Sequence, residues 1–173
     1  MKHLVLGGAR SGKSNYAQQQ AEISAKKVIY IATAHAGDAE MQARIEQHKN
    51  NRPENWLLIE QTIELADALQ NHDAEDVCLL VDCLTLWLSN LLLAEDENCF
   101  NREREKLFKI LPYLKGDLVL VSNEVGQGIV PMGELNRRFI DESGWLHQDL
   151  AKHCDTVSWV MAGIASRLKG QAG

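Results

Sequence analysis

No apolar run in this sequence approaches the roughly 18 residues needed to cross a bilayer. The longest, Val77 to Leu93, is interrupted by Asp82, Ser89 and Asn90, so no transmembrane segment is expected. Dense Lys/Arg blocks are missing too, and the net charge is −6, which argues against nucleic acid as a main partner. The four cysteines, Cys78, Cys83, Cys99 and Cys154, form no C-x-x-C pair. No H-x-x-x-H spacing or Cys/His cluster suggests structural zinc. Met1-Lys2-His3-Leu4 runs straight into the first apolar stretch, leaving no room for a secretory leader. Reduced thiols in a cytoplasmic protein are therefore expected. The N-K-x-D motif by which regulatory GTPases read guanine is absent, which weighs against a switch of that kind. No internal repeat or low-complexity linker divides the 173 residues, and an apolar content of 45% fits a single domain spanning 1–173.

What is present begins at residue 7. Gly7-Gly8-Ala9-Arg10-Ser11-Gly12-Lys13-Ser14 fits the phosphate-loop pattern G-x-x-x-x-G-K-[ST] in full. It follows the apolar run His3-Leu4-Val5-Leu6 and precedes a helix-forming stretch, Asn15 to Ala25, which is the strand–loop–helix setting the motif requires. Glycines let the backbone wrap around a phosphate, so that successive N–H groups form an anion nest. The helix that follows adds the positive end of its dipole. Lys13 is placed to reach the outer phosphates of a nucleoside triphosphate and Ser14 to ligate Mg²⁺.

Strand-like runs at Leu4–Leu6, Val28–Thr33, Val77–Val81, Leu118–Ser122 and Val157–Ala162 alternate with helical patterns at Ala39–Asn50, Ile63–Asn71, Asn101–Leu114 and Gly133–His153. The strand candidates are mostly unbroken apolar runs, as expected of strands buried on both faces of a parallel sheet. The alternation predicts a doubly wound α/β domain with a mainly parallel sheet. The tryptophans, Trp56, Trp87, Trp145 and Trp159, are scattered and read as packing residues.

Three segments can carry chemistry. Asp82 ends the apolar strand Leu79-Leu80-Val81, where it could sit beside the metal held by Ser14 or cap the helix that starts at Leu84. The segment Ser122-Asn123-Glu124-Val125-Gly126-Gln127-Gly128 brings an amide, a carboxylate and two glycines to the same sheet edge; it reads as a substrate loop, with Glu124 its most interesting member, or as an ordinary connection. In Ala39–Asn50, Arg44 and His48 are four apart and share a helical face, with Lys49 and Arg52 close behind. Such a histidine is either a nucleophile toward phosphorus, kept neutral by nearby cations, or a solvent-facing residue of a polar helix. Spacing alone leaves both readings open.

Taken together, the motifs resemble the bifunctional adenosylcobinamide kinase/adenosylcobinamide-phosphate guanylyltransferase family of cobalamin biosynthesis. The resemblance rests on the phosphate loop, Ile31-Ala32-Thr33-Ala34, Arg44-Ile45-Glu46-Gln47-His48, Asp82-Cys83-Leu84-Thr85-Leu86-Trp87 and Ser122-Asn123-Glu124-Val125-Gly126. Gly128-Ile129-Val130-Pro131 and Ala162-Gly163 extend it. It implies a RecA-like phosphate-loop fold and a homotrimer. It also implies phosphorylation of adenosylcobinamide by ATP or GTP, then GMP transfer from GTP through a guanylylated histidine, with Mg²⁺ as cofactor. His48 matches that histidine. Gly7 to Ser14, Ala32, Thr33, Ala34, Lys49, Asn50, Asn51, Arg52, Glu60 and Asp82 match positions expected to contact nucleotide or metal, with Ser14 and Asp82 at the metal. The sequence departs from the family pattern at His147-Gln148, where Asn-Gln is expected, at Ile164 after Ala162-Gly163, where Pro is expected, and at Lys49, where Arg is common. A simple small-molecule kinase and a non-catalytic nucleotide-binding module remain the alternatives.

Overall fold

A computed structural model describes residues 1–34, 53 and 55–170. The polar segment Ala39–Asn50, with Arg44 and His48, lies outside the described residues, as do Lys49, Asn50, Asn51 and Arg52.

The strands are β1 (Lys2–Gly7), β2 (Lys27–Ala32), β3 (Leu57–Glu60), β4 (Val77–Asp82), β5 (Asp117–Asn123), β6 (Thr156–Met161) and β7 (Ile164–Lys169). They form one sheet in the order β3-β2-β4-β5-β1-β6-β7. Every pairing is parallel except β6 with β7. The helices are α1 (Lys13–Ile23), α2 (Leu65–His72), α3 (Leu84–Leu92), α4 (Cys99–Ile110) and α5 (Glu134–His153), and a 3-10 turn, Leu111–Tyr113, follows α4.

Alternation along the strands fills both faces of the sheet. Leu4, Leu6, Ile29, Ile31, Leu79, Val81, Leu118 and Leu120 point into one core, which is closed by apolar residues of α2, α3, α4 and α5. Val5, Val28, Tyr30, Cys78, Leu80, Val119 and Val121 point into the other, closed in part by Ala17 and Ala21 of α1. Those two alanines are four apart, so they share a face and let α1 lie close on the sheet. Each Leu or Val fully buried in this way contributes about 1.5–3 kcal/mol of transfer free energy. The five strands expected from sequence all form, in the mainly parallel arrangement, with helices on both faces.

Two strands were not expected. β3 is a four-residue edge strand with Leu57 largely exposed. β7 is exposed along most of its length and pairs antiparallel with β6 through a turn at Ala162-Gly163. Neither has the continuous apolar run of a buried strand. One packing expectation also needs correcting: Trp145 is 54% exposed on α5, whereas Trp56 and Trp87 are buried. No described helix is long and apolar enough to cross a membrane.

Candidate active site

Sheet order creates the site. β1 ends in the phosphate loop, β4 ends in Asp82, and β5 lies between them. Gly7 pairs in register with Asn123, while Ala32 aligns with Asp82 on one side and Glu60 on the other. The C-terminal edge, where ligands gather in open α/β sheets, therefore carries Gly7, Asn123, Asp82, Ala32 and Glu60 on neighbouring strand ends.

The glycines of the loop serve distinct purposes. A Cβ on Gly7 would lie 2.4 Å from the Val160 carbonyl oxygen and 2.6 Å from Ser11 Oγ, so only glycine fits against β6. Gly12 has φ 92°, and a Cβ there would come within 3.0 Å of Gly163 Cα. Gly8 faces open space. The β6–β7 turn supports the loop from behind, because the Gly163 N–H donates to the Ser11 carbonyl over 2.8 Å. Both turn residues, Ala162 and Gly163, have positive φ, as a tight two-residue hairpin demands.

This cradle fits a phosphate. Gly12, at the N-cap of α1, has no side chain to satisfy the first N–H groups of the helix, which leaves them for an anion. Ser11 Oγ is buried without a partner among the described residues. Lys13 is buried, and its Nζ donates to the Gly8 carbonyl over 3.1 Å, across the mouth of the loop. Burial pushes the Lys13 pKa down, and the nearby Asp82 charge pulls it back. A bound phosphate would reinforce the ammonium form for the same reason.

Asp82 does not cap α3. Cys83 occupies the N-cap position, with no side-chain capping bond. Asp82 instead accepts a 3.1 Å hydrogen bond from Tyr30 Oη on its Oδ2, which fixes the carboxylate. Thr33 is fully buried; its hydroxyl donates to the Cys83 carbonyl over 2.6 Å and accepts from the Cys83 N–H over 3.0 Å. Its hydroxyl is thus committed to shaping the turn after Asp82. Asn90 holds the same corner by donating to the carbonyls of Thr33 (2.9 Å) and Thr62 (3.0 Å). Burial and the Asp82 charge push the Cys83 thiol up to about 11, so it stays protonated and is no nucleophile.

Comparison with known proteins agrees with this geometry. The pattern of the family described as cobinamide kinase / cobinamide phosphate guanyltransferase matches residues 3–168. The chain belongs to this enzyme family. Curated relatives of this cobinamide kinase / cobinamide phosphate guanyltransferase family member include a protein of Pseudomonas aeruginosa named bifunctional adenosylcobalamin biosynthesis protein CobP. It is 51% identical over 171 residues, covering 99% of each chain. A protein of Escherichia coli named bifunctional adenosylcobalamin biosynthesis protein CobU is 36% identical over 182 residues, covering 98% of this chain and 100% of its own. Among solved structures, the RadB recombinase superposes with a TM-score of 0.52 at 15% identity, covering 91% of this chain and 73% of its own. The flagellar accessory protein FlaH from Methanocaldococcus jannaschii does so with a TM-score of 0.54 at 14% identity, covering 98% and 78%. These two show the fold, which is RecA-like with a phosphate loop.

Within the described residues, the structure of this family member sets Gly7 to Ser14, Ala32, Glu60 and Asp82 along the C-terminal edge of the sheet, with Thr33 and Ala34 directly after β2. In the sequence no role was read for Tyr30, Asn90, Thr85 or His147, and Ser122 was read only as part of a substrate loop. One signal was available for Asn90: an amide in the apolar helix Leu84-Thr85-Leu86-Trp87-Leu88-Ser89-Asn90 must find partners.

Proposed function

We propose that this enzyme phosphorylates the alcohol of adenosylcobinamide with a nucleoside triphosphate, ATP or GTP. It then transfers GMP from GTP to the new phosphate, giving adenosylcobinamide-GDP and pyrophosphate. The observation that carries this reading is the cradle of Gly7 to Ser14 facing Asp82 across β5, in a chain of the cobinamide kinase / cobinamide phosphate guanyltransferase family. Residues 1–173 act as one domain, and the resemblance extends the proposal to a cytoplasmic homotrimer.

In the kinase half, the loop N–H groups and Lys13 hold and neutralise the phosphates, which is most of what phosphoryl transfer asks of a protein. Ser14 and Asp82 would hold Mg²⁺, which neutralises charge on the outer phosphates when bound. Tyr30 keeps the Asp82 carboxylate turned toward that position. Ala32, Thr33, Ala34 and Glu60 line the adjoining strand ends, and Lys49, Asn50, Asn51 and Arg52 complete the nucleotide site.

In the guanylyltransferase half, His48 attacks the α-phosphorus of GTP. A nitrogen–phosphorus bond forms and the bond to pyrophosphate breaks. An oxygen of the cobinamide phosphate then displaces the histidine. Splitting the transfer into two displacements replaces one difficult step by two easier ones. The test is an intact-mass spectrum after incubation with GTP and Mg²⁺ in the absence of corrinoid, beside His48→Ala. A GMP adduct on the wild type alone, released by mild acid, is expected. No adduct on the wild type while nucleotide still binds would leave a plain kinase.

A further inference from the structure

Behind the phosphate loop lies a polar cluster that the proposed reactions have not used. Glu124 follows β5 directly, and its N–H donates to the Gly7 carbonyl over 3.0 Å, stitching it to the first residue of the loop. Since β5 lies between β1 and β4, Glu124 directly follows the strand end that separates the phosphate loop from Asp82. One carboxylate oxygen, Oε1, accepts from the Gly126 N–H over 2.6 Å. The other, Oε2, faces His147 Nδ1 at 3.5 Å. His147 is buried on α5. Its Nε2 lies 2.7 Å from Ser122 Oγ, which is 3.2 Å from Thr85 Oγ1, which in turn accepts from the Asn123 N–H over 2.7 Å.

The carboxylate beside Nδ1 favours one imidazole tautomer. A carboxylate only accepts, so the ring places its N–H at Nδ1, toward Glu124. Nε2 then accepts from the Ser122 hydroxyl. The opposite tautomer would set a nitrogen lone pair against the carboxylate in a buried site. Burial lowers the His147 pKa, against the pull of the Glu124 charge, and so favours the neutral ring with one proton to place. Nδ1 has no partner at hydrogen-bond distance among the described residues. Catalytic hydrogen bonds are often as long as this 3.5 Å gap to Glu124 before substrate binds.

We propose that Glu124 accepts the proton of the acceptor alcohol during phosphoryl transfer, and that His147 is a positioning residue that aims the carboxylate. The alcohol oxygen forms its bond to the γ-phosphorus, the bond from that phosphorus to the bridging oxygen breaks, and the hydroxyl proton passes to Glu124. The nucleoside diphosphate leaves with the bond's electron pair. This inference rests on the kinase half of the proposed function.

The test measures phosphate transfer from ATP to adenosylcobinamide. Wild-type activity comes first: if there is none, the functional reading fails before the inference is reached. Given an active wild type, Glu124→Gln keeps the acceptor for the Gly126 N–H but cannot take a proton, and kcat should fall by about 100- to 10,000-fold with the KM for ATP held. Undiminished kcat would overturn the role of Glu124. Should that variant melt early, Glu124→Asp, which keeps the charge and withdraws it by one methylene, should lower kcat in the same way. Two further variants separate the nitrogens of His147. Asn places an N–H where Nδ1 stands, and Gln places its amide where Nε2 stands. His147→Asn should retain kcat and His147→Gln should lose it. The reverse order would show that His147 serves Ser122 instead, and equal loss or equal retention in both would likewise overturn its positioning role.

Discussion

Acid should destabilise this fold through His3, one strand length upstream of the phosphate loop. The side chain is 1% exposed between β1, α1 and β6. Its Nε2 lies 2.9 Å from Ser158 Oγ, Tyr16 Oη is 3.3 Å from the same oxygen, and the imidazole meets the Tyr16 ring edge-on at 5.9 Å. Burial, and then the positive charge of Arg167, lower its pKa from 6.5 to about 4. Above 6.5 neither the folded nor the unfolded chain protonates it, so it has no effect on stability. Between 6.5 and about 4 the unfolded chain takes up a proton that the folded chain refuses, so stability falls as pH falls. Below about 4 both states are protonated and the loss is constant. At about 1.4 kcal/mol per pH unit, the part lost between about pH 8 and about pH 5 is about 2 kcal/mol. Urea unfolding at those two values, on the wild type and on His3→Gln, isolates this term, because every other titrating group is shared. Gln keeps a hydrogen-bonding group near the Nε2 position and does not titrate. The wild type should lose about 2 kcal/mol more than the variant over the interval. Parallel losses would refute the claim that the folded chain holds His3 neutral.

The site yields three further predictions. Gly7→Ala drives a methyl into the Val160 carbonyl and Ser11 Oγ; unfolding should cost about 1–3 kcal/mol less and GTP affinity should drop, as read by urea titration and equilibrium binding. Tyr30→Phe removes the donor that fixes Asp82 Oδ2, so the Mg²⁺ concentration for half-maximal kinase rate should rise by about 10- to 100-fold while the fold stays intact. Lys13→Ala removes the cation at the mouth of the loop and should slow both phosphoryl transfer and GMP adduct formation by roughly 100- to 1,000-fold. Full kinase activity in that variant would sink the idea of one cradle for both reactions.

How far the sequence could be read depended on the distance over which each feature is specified. The phosphate loop was legible because glycines, lysine and serine at fixed positions within eight residues are all that its geometry needs. The five interior strands were legible because burial on both faces demands unbroken apolar runs. β3 and β7 were not, because an edge strand has one side in water and its composition looks like a loop. Asp82 was half legible: the carboxylate at a strand end was plain, but setting aside the helix cap needed Cys83 at the N-cap and Tyr30 against Oδ2. His147 was read only as a departure from a family pattern. Its partners Ser122 and Glu124 come from β5 and the loop after it, and Ser122 is 25 residues away in sequence. No local spacing announces such a contact.

Strand order is what joins these pieces, and it has no local signal at all. Were β4 the neighbour of β1, Asp82 would adjoin the phosphate loop directly and the end of β5 would lie at a remove from both. With β5 inserted, two strand spacings, about 10 Å, separate the axes of β1 and β4. That gap is wide enough for phosphates and a metal to lie between Lys13 and Asp82. It also gives the end of β5 a position from which only a side chain reaching into the gap can act. Asn123 and Glu124 hold that position. On the proposed reading, a carboxylate there would meet an acceptor alcohol rather than the nucleotide's metal, which would let the chain spend one acid on Mg²⁺ and another on proton transfer.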